Sequence, residues 1–292
     1  MQSHRINRTT GMAHAILEKN CLVALIIVLS LFLYYPPTAY SDDYLTASGC
    51  SVSNVGYLTD LAREYERRTG KKIFVRGGGS LVGIEDLRNG KVDFAASCRS
   101  RETTDPDDIA FVQVAWDALA FIVHKSNSLE NISLDEVRSI YAGKITSWKQ
   151  LGVSSGPLKI FISRARTGLS GVEASTKQLV LGGIEPVKSS NTLFVASSGI
   201  VEQMVEETPG GFATTGITSA RKRSVKILMV NGVAPTNKAI IQNRYPLKRP
   251  LYLLVPKSAK PEVKRFVDFT LSREGQRFIR SLNVISLLDI KK

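Results

Sequence analysis

Three short polar loops contain the residue types in this chain that are best suited to hold a small anion. They are Gly49-Cys50-Ser51, Gly77-Gly78-Gly79-Ser80 and Ser97-Cys98-Arg99, and each of them follows a short apolar run. Backbone N–H groups and the positive ends of helix dipoles collect where such strands end, and both favour negative charge. The alternative is that glycine and serine are simply what tight strand-to-helix turns require.

The elements that position these loops follow an alternation of apolar runs and amphipathic segments, which predicts parallel strands joined by crossover helices. Strands are predicted at 45–48, 72–75 and 92–96, with a helix that starts at Ser53 or Asn54 and another that starts at Ser80. A longer apolar run at 113–125 is suited to carry the chain from one lobe to another. A second set follows, with helices after Ser133, Ser170, Ser197 and Pro261 and strands at 158–162, 212–215, 225–230 and 250–256.

Composition bounds the function classes. The 292 residues are 43% hydrophobic, which allows two modest domains and excludes a disordered chain. A net charge of +13 favours anionic partners. The 3 cysteines, Cys21, Cys50 and Cys98, exclude a disulfide-dense scaffold and match no zinc or redox spacing. His124 has no Cys, His or Asp at metal spacing, so neither a metal nor a cofactor is expected.

The first 41 residues are predicted to be a secretory signal peptide. Arg5, Arg8 and Lys19 precede an apolar run from Cys21 to Tyr35, which is shorter than the roughly 20 residues that span a bilayer. Small residues before position 42 predict cleavage near Ser41, so the body of the protein is expected to be exported. An uncleaved membrane anchor is the alternative.

Three sequence blocks carry a resemblance to a known family. They are VRGGGSLVGIEDLRNGKVDFAAS (75–97), SLDEVRSIYAGKITSWKQLG (133–152) and YPLKRPLYLLVPK (245–257). They resemble the phosphate-binding subunit of bacterial ABC importers and its wider substrate-binding family, over about residues 44–279. The resemblance implies an α/β fold, the two-lobed periplasmic binding protein of type II, in which each lobe is a doubly wound, mostly parallel sheet and two linkers cross over. The lobes would be 42–120 plus 247–292, and 121–246.

The same resemblance implies a function and a site. A monomer would capture one small oxyanion, phosphate or a relative, and deliver it to ABC permease subunits in the inner membrane, without catalysis and without nucleic acid. The ligand-binding residues it implies are Cys50, Ser51, Ser53, Gly79, Ser80, Cys98, Arg164, Thr167, Gly168 and Ser170.

The chain departs from the family pattern at the site itself. Cys98 stands where the family has an acidic or hydroxyl residue, Leu169 replaces a glycine, and Arg166 replaces a residue that is often acidic. An acidic acceptor selects a protonated oxyanion, because only that form donates a hydrogen bond. We therefore expect a weaker preference for phosphate over fully deprotonated oxyanions than the family resemblance suggests.

Several site residues have a second interpretation. Arg164 suits a surface ion pair as well as an anion contact, and Ser170 followed by Glu173 is a capping-box pattern. Rival functions are an adhesin-like module that binds polyanions with a degenerate cleft, and an exported phosphatase or Cys98 nucleophile, for which no histidine is placed as a base.

Cys50 and Cys98 are predicted to form a disulfide. In a sheet of order 2-1-3 the first and third strands are neighbours, and each cysteine follows the end of its strand by one or two residues. Their Cα atoms then fall within disulfide range, and export supplies the oxidising environment. Two free thiols that line the pocket, or unrelated buried cysteines, are the alternatives.

Overall fold

The computed structural model describes residues 44–154, 156–165 and 168–290, and one compact unit begins at Tyr44. The predicted signal peptide and its cleavage near Ser41 lie outside these residues. No helix within the described ranges is both long and apolar enough to cross a membrane.

Short strands and helices alternate along most of the chain. The strands are β1 Tyr44–Gly49, β2 Lys72–Gly77, β3 Phe94–Ser97, β4 Ile109–His124, β5 Asn131–Ile132, β6 Lys159–Ala165, β7 Gly168–Leu169, β8 Thr192–Val195, β9 Gly211–Gly216, β10 Val225–Ile227, β11 Met229–Val230, β12 Lys248–Pro256 and β13 Ile285–Ser286. The α-helices are α1 Ser51–Ser53, α2 Thr59–Thr69, α3 Ser80–Arg88, α4 Leu134–Tyr141, α5 Gly171–Leu179, α6 Ser198–Glu207, α7 Ile217–Ala220, α8 Asn237–Ile241, α9 Pro261–Leu271 and α10 Arg273–Ser281.

The main sheet has the strand order β2-β1-β3-β12-β4-β9-β6-β7, with β10 and β13 on β4 and β8 on β6. The predicted order 2-1-3 of the first three strands is confirmed, and their pairings are parallel. A second parallel group is β9-β6-β8. The pairings of β4 with β12 and with β9 are antiparallel, so the sheet is mixed where the two parallel groups meet.

Strand β4 connects the two parallel groups. It pairs with β12 up to Ala118 and with β9 from Leu119, so it changes its partner within one residue. The Leu119 N–H donates to the carbonyl of Leu247, immediately before β12 begins. The two connections between the groups therefore lie side by side. We call the part around β1–β3 the first lobe and the part around β6, β8 and β9 the second lobe.

Of the predicted helix starts, two are confirmed by their N-terminal residues and one is wrong. Ser133 caps α4 in a capping box with Glu136, and Pro261 opens α9, as predicted. The predicted start at Ser53 or Asn54 is wrong, because the helical segment begins at Ser51 and continues through a π-turn into α2. The cause is the fixed position of Cys50, whose carbonyl accepts the Asn54 N–H and so starts the helix early.

The predicted strand at 225–230 is two strands. Lys226 and its neighbours pair with β4, whereas Met229 and Val230 pair with β5. Leu228 lies between them and is fully buried, with its N–H donating to the carbonyl of Phe121. A single apolar run thus serves two pairing partners, which its sequence does not reveal.

Candidate functional site

The Cys50–Cys98 disulfide is confirmed and lies where β1 and β3 end. The Cα atoms are 6.0 Å apart, and both residues are at most 2% exposed. The Cys50 N–H donates to the carbonyl of Ala96 at 2.9 Å, which holds the loop after β1 against β3. The covalent bond therefore joins the first and the third of the predicted loops, which follow the neighbouring strands β1 and β3.

The loop after β2 meets this disulfide through the start of α3. Gly79 has φ +106°, a conformation that side chains other than glycine rarely adopt, and it precedes the first residue of α3. Ser80 is fully buried, and its Oγ accepts the Cys98 N–H at 3.2 Å. The Gly79 N–H donates to the carbonyl of Gly49 at 2.8 Å. All three predicted loops of the first lobe are thus brought together.

The second lobe contacts this assembly through the start of α5. A Cβ added to Gly171 would lie 2.2 Å from Ser80 Oγ and 2.8 Å from Cys98 Sγ. A Cβ added to Gly79 would lie 2.3 Å from Ser170 Oγ. Two helix N-termini from opposite lobes therefore face one another across glycine, serine and the sulfur of Cys98.

A buried ion pair supports the disulfide loop from β4 and β12, the two paired strands that connect the lobes. Arg249 of β12 donates through Nε and Nη2 to Asp117 Oδ2 at 3.0 and 2.8 Å, and through Nη1 to the Cys98 carbonyl at 3.1 Å. The Thr218 N–H and hydroxyl donate to Asp117 Oδ1 at 3.0 and 2.6 Å. The Ser175 hydroxyl of α5 also donates to the Cys98 carbonyl, at 3.2 Å. The Cys98 carbonyl is thereby hydrogen-bonded both to the second lobe, through Ser175, and to the connecting strand β12, through Arg249.

Arg164 makes the surface ion pair that was the second interpretation of this residue. Its Nη2 lies 2.8 Å from Glu185 Oε2, and its guanidinium lies 4.9 Å from the centre of the Phe194 ring. The side chain is 38% exposed. A contact between Arg164 and a bound anion remains a prediction.

The capping box predicted for Ser170 and Glu173 is wrong. Ser170 does precede α5, but its side chain makes no capping hydrogen bond. Glu173 Oε1 instead accepts the Ser163 N–H at 3.0 Å, and the Ser163 hydroxyl lies 3.4 Å from the same oxygen. The reason is tertiary: Ser163 of β6 lies beside the first turn of α5, and its N–H takes the carboxylate oxygen that a capping box would have used.

The remaining predicted residues are placed as follows. Ser51 is buried against Gly199 at the start of α6, and Ser53 is fully buried. Gly168 pairs with Ala165 in the short β6–β7 ladder. Thr167 lies outside the described residues.

Five residues of the site were not singled out from the sequence as functional. They are Asp117, Ser163, Glu173, Ser198 and Arg249, and each is at most 2% exposed. The Ser197-Ser198-Gly199 run before a helix repeats the pattern of the first-lobe loops, so it offered a signal for one of them. The ion pair offered none, because its partners are 132 residues apart in the chain.

Glu173 is the most unusual titratable group at the site. Burial raises its pKa to about 8, and the hydrogen bonds from Ser163 and the charges of Arg249 and Arg164 offset only part of this effect. Its Oε2 is buried and has no hydrogen-bond partner among the described residues. A carboxyl group in such a place is neutral at pH 7 and carries a proton that is free to be donated.

These features define a class of protein: a two-lobed α/β binding protein in which helix N-termini from both lobes meet. The family model of the PBP superfamily domain matches residues 36–274, and the chain belongs to this superfamily.

Curated relatives and solved structures agree. The chain is 28% identical to the phosphate-binding protein PstS of Borreliella burgdorferi over 277 residues, 91% of this chain and 98% of the relative. It is 27% identical to PstS of Bacillus subtilis over 238 residues, 80% of this chain and 77% of the relative.

Among solved structures, an ABC-type phosphate transport receptor from Vibrio cholerae superposes with a TM-score of 0.61 at 27% identity, over 82% of this chain and 99% of that one. A phosphate ABC transporter substrate-binding protein from Clostridium perfringens, solved with bound phosphate, gives a TM-score of 0.75 at 24% identity over 84% and 99%. The second comparison supports the fold.

Proposed function

We propose that this chain is an exported solute-binding protein that captures a small phosphate-like oxyanion between its lobes and passes it to an ABC permease in the inner membrane. The observation that carries the proposal is the meeting of the α3 and α5 N-termini beside the disulfide, through the Gly79–Ser170 and Gly171–Ser80 contacts. Both helices thus bring backbone N–H groups and positive dipole ends to the same contact between the lobes. Relatives of this chain are named as phosphate-binding proteins and a phosphate transport receptor, which supports binding without catalysis.

The organisation follows from this function. We propose a signal peptide at 1–41, a first lobe of 42–120 plus 247–292, and a second lobe of 121–246. The change of partner along β4 and the start of β12 at Lys248 support these boundaries. The protein would act as a monomer in the periplasm, because a binding protein that shuttles to a permease needs only its own cleft and one docking face.

Calorimetric titration of the purified protein with phosphate, sulfate and molybdate tests the proposal. We expect at least one of these anions to bind more tightly than about 1 mM, which corresponds to about 4 kcal/mol. Weaker binding of all three contradicts the function.

A pair of variants tests the predicted contact of Arg164. Arg164→Ala is expected to weaken binding, whereas Arg265→Ala removes the same charge from an exposed ion pair with Glu262 and is expected to leave it unchanged. Equal behaviour of the two variants would remove Arg164 from the site and leave the function standing.

A further inference from the structure

The second lobe contains a buried carboxyl group with one oxygen in use and one unused. Glu173 is 1% exposed and lies in the first turn of α5, beside the end of β6. Its Oε1 accepts from Ser163, whose hydroxyl lies 3.3 Å from that of Ser198 at the start of α6. Glu173 is thereby linked through Ser163 to the start of α6, while its Oε2 is buried and has no hydrogen-bond partner among the described residues.

The charges around Glu173 explain why it is not ionised there. Among the described residues, the cations that act on it are Arg249 and Arg164. Arg249 is already engaged by Asp117, and Arg164 by Glu185. The neighbouring Tyr141 phenol is fully buried, its pKa is raised by burial, and it remains neutral. Each of these two cations thus already has a carboxylate partner, so their charges offset the burial of Glu173 only in part.

We propose that Glu173 is a neutral carboxylic acid whose Oε2–H donates a hydrogen bond to the bound anion. This inference rests on the proposed function and names a ligand contact that the family resemblance did not imply. A buried donor without a partner in the first turn of α5 has an evident partner in an oxyanion, which the dipole of this helix also attracts.

The proposal also specifies the class of ligand. The disulfide removes Cys98 as an acceptor, and Glu173 in its neutral form adds a donor, so the anion meets donors on both lobes. A fully deprotonated tetrahedral oxyanion such as sulfate or molybdate accepts from every direction, whereas a protonated phosphate needs one acceptor. The site should therefore bind the deprotonated anions at least as well as it binds phosphate.

The pH dependence of binding tests the proton on Glu173. Sulfate and molybdate are the probes, because their own charge is constant from neutral to alkaline pH. If only the neutral acid binds, the apparent affinity of the parent follows the neutral fraction of Glu173 and falls about tenfold between about pH 7 and about pH 9. Glu173→Gln keeps a donor that does not titrate, so its affinity is expected to stay constant over this range.

A matched control is available on the next helix. Glu202 of α6 is also 1% exposed, but its oxygens accept from Ser219, Thr215 and Arg223. Glu202→Gln is expected to keep the pH dependence of the parent. Infrared difference spectra provide a second readout: addition of sulfate should shift the carboxylic-acid carbonyl band of the parent, and this shift should be absent in Glu173→Gln.

The outcomes distinguish the role of Glu173 from the proposed function. If the anions bind but the parent and Glu173→Gln share one pH profile and no acid band moves, the role of Glu173 is overturned and the proposed function stands. If none of the anions binds at any pH, the proposed function fails and this inference fails with it. A phosphate affinity more than about a thousandfold above that of sulfate, about 4 kcal/mol, would also contradict a donor-only site.

Discussion

The two faces of the cleft are held together by different means. The first-lobe face is cross-linked by the Cys50–Cys98 bond, and Ser80 is fixed to Cys98 by a hydrogen bond. The second-lobe face has no such bond among the described residues; Glu173 holds the end of β6 by a single carboxyl oxygen and keeps the other free. A covalent bond fixes shape but responds to no proton, whereas a buried carboxyl group does. We infer that the first face provides a rigid wall and the second provides the selectivity.

The largest effect is expected where both faces share a support, the Asp117–Arg249 pair. Arg249→Met leaves Asp117 as an unpaired charge in a fully buried site, and breaking such a pair typically costs about 3–5 kcal/mol. Chemical denaturation of the variant against the parent measures this loss. The matched control is Arg101→Met, which breaks the exposed pair with Asp107 and should cost at most about 1 kcal/mol. Similar losses in the two variants would show that the stability of the β4–β12 connection does not depend on the buried pair.

Removal of the disulfide tests the rigid face directly. Cys50→Ser with Cys98→Ser opens a loop with a sequence separation of 48, and chain entropy predicts a loss of about 4 kcal/mol in the free energy of unfolding. Comparison of melting curves for the parent with and without reductant should show the same loss. Thiol titration of the denatured, unreduced protein should find neither Cys50 nor Cys98 reactive; two reactive thiols at these positions would contradict the cross-link.

These two supports differ in how far the sequence predicts them. The cysteine pair follows from the strand order 2-1-3, which the alternation of apolar runs and Gly-rich loops indicates. The Asp117–Arg249 pair depends on the register between β4 and β12, and no local pattern reports that register. Glu173 is also beyond local prediction. A carboxyl three residues after Ser170 predicts a capping box, but the carboxyl instead accepts the N–H of Ser163 in β6. Local sequence patterns therefore predict where the loops are, whereas the side-chain contacts that the loops make depend on the tertiary structure.

The pH dependence of stability tests the titration of Glu173 in the second lobe without any ligand. Glu173 has a pKa of about 8 when folded, against 4.5 as its ordinary value, so the folded state holds a proton that the unfolded chain has lost. Its contribution is complete below about pH 4.5 and is lost as the pH rises to about 8. Glu173→Gln does not titrate, so its melting temperature should rise relative to the parent over this window, by about 2–4 °C for each kcal/mol. Asp93 and Asp105, whose pKa values are lowered by their ion pairs, lose stability only at acidic pH and do so equally in both proteins. A constant difference between the melting curves would show that Glu173 does not titrate in this range.

The smallest effect on stability, and the sharpest on closure, is expected at the point where the two faces touch. Gly171 lies in the first turn of α5 without a positive φ, so alanine suits its backbone and should change the free energy of unfolding by at most about 1 kcal/mol, in the stabilising direction. The added Cβ would nevertheless lie 2.2 Å from Ser80 Oγ and 2.8 Å from the disulfide sulfur of Cys98, so the lobes must separate to accommodate it.

We expect Gly171→Ala to weaken anion binding by at least about tenfold, about 1.4 kcal/mol, while its melting temperature is maintained, and small-angle scattering should show a more open particle. Gly199→Ala is the matched control at the start of α6, because its Cβ would lie 3.6 Å from Ser51 in ordinary contact. Unchanged affinity in Gly171→Ala would mean that the two helix N-termini do not close on the anion together.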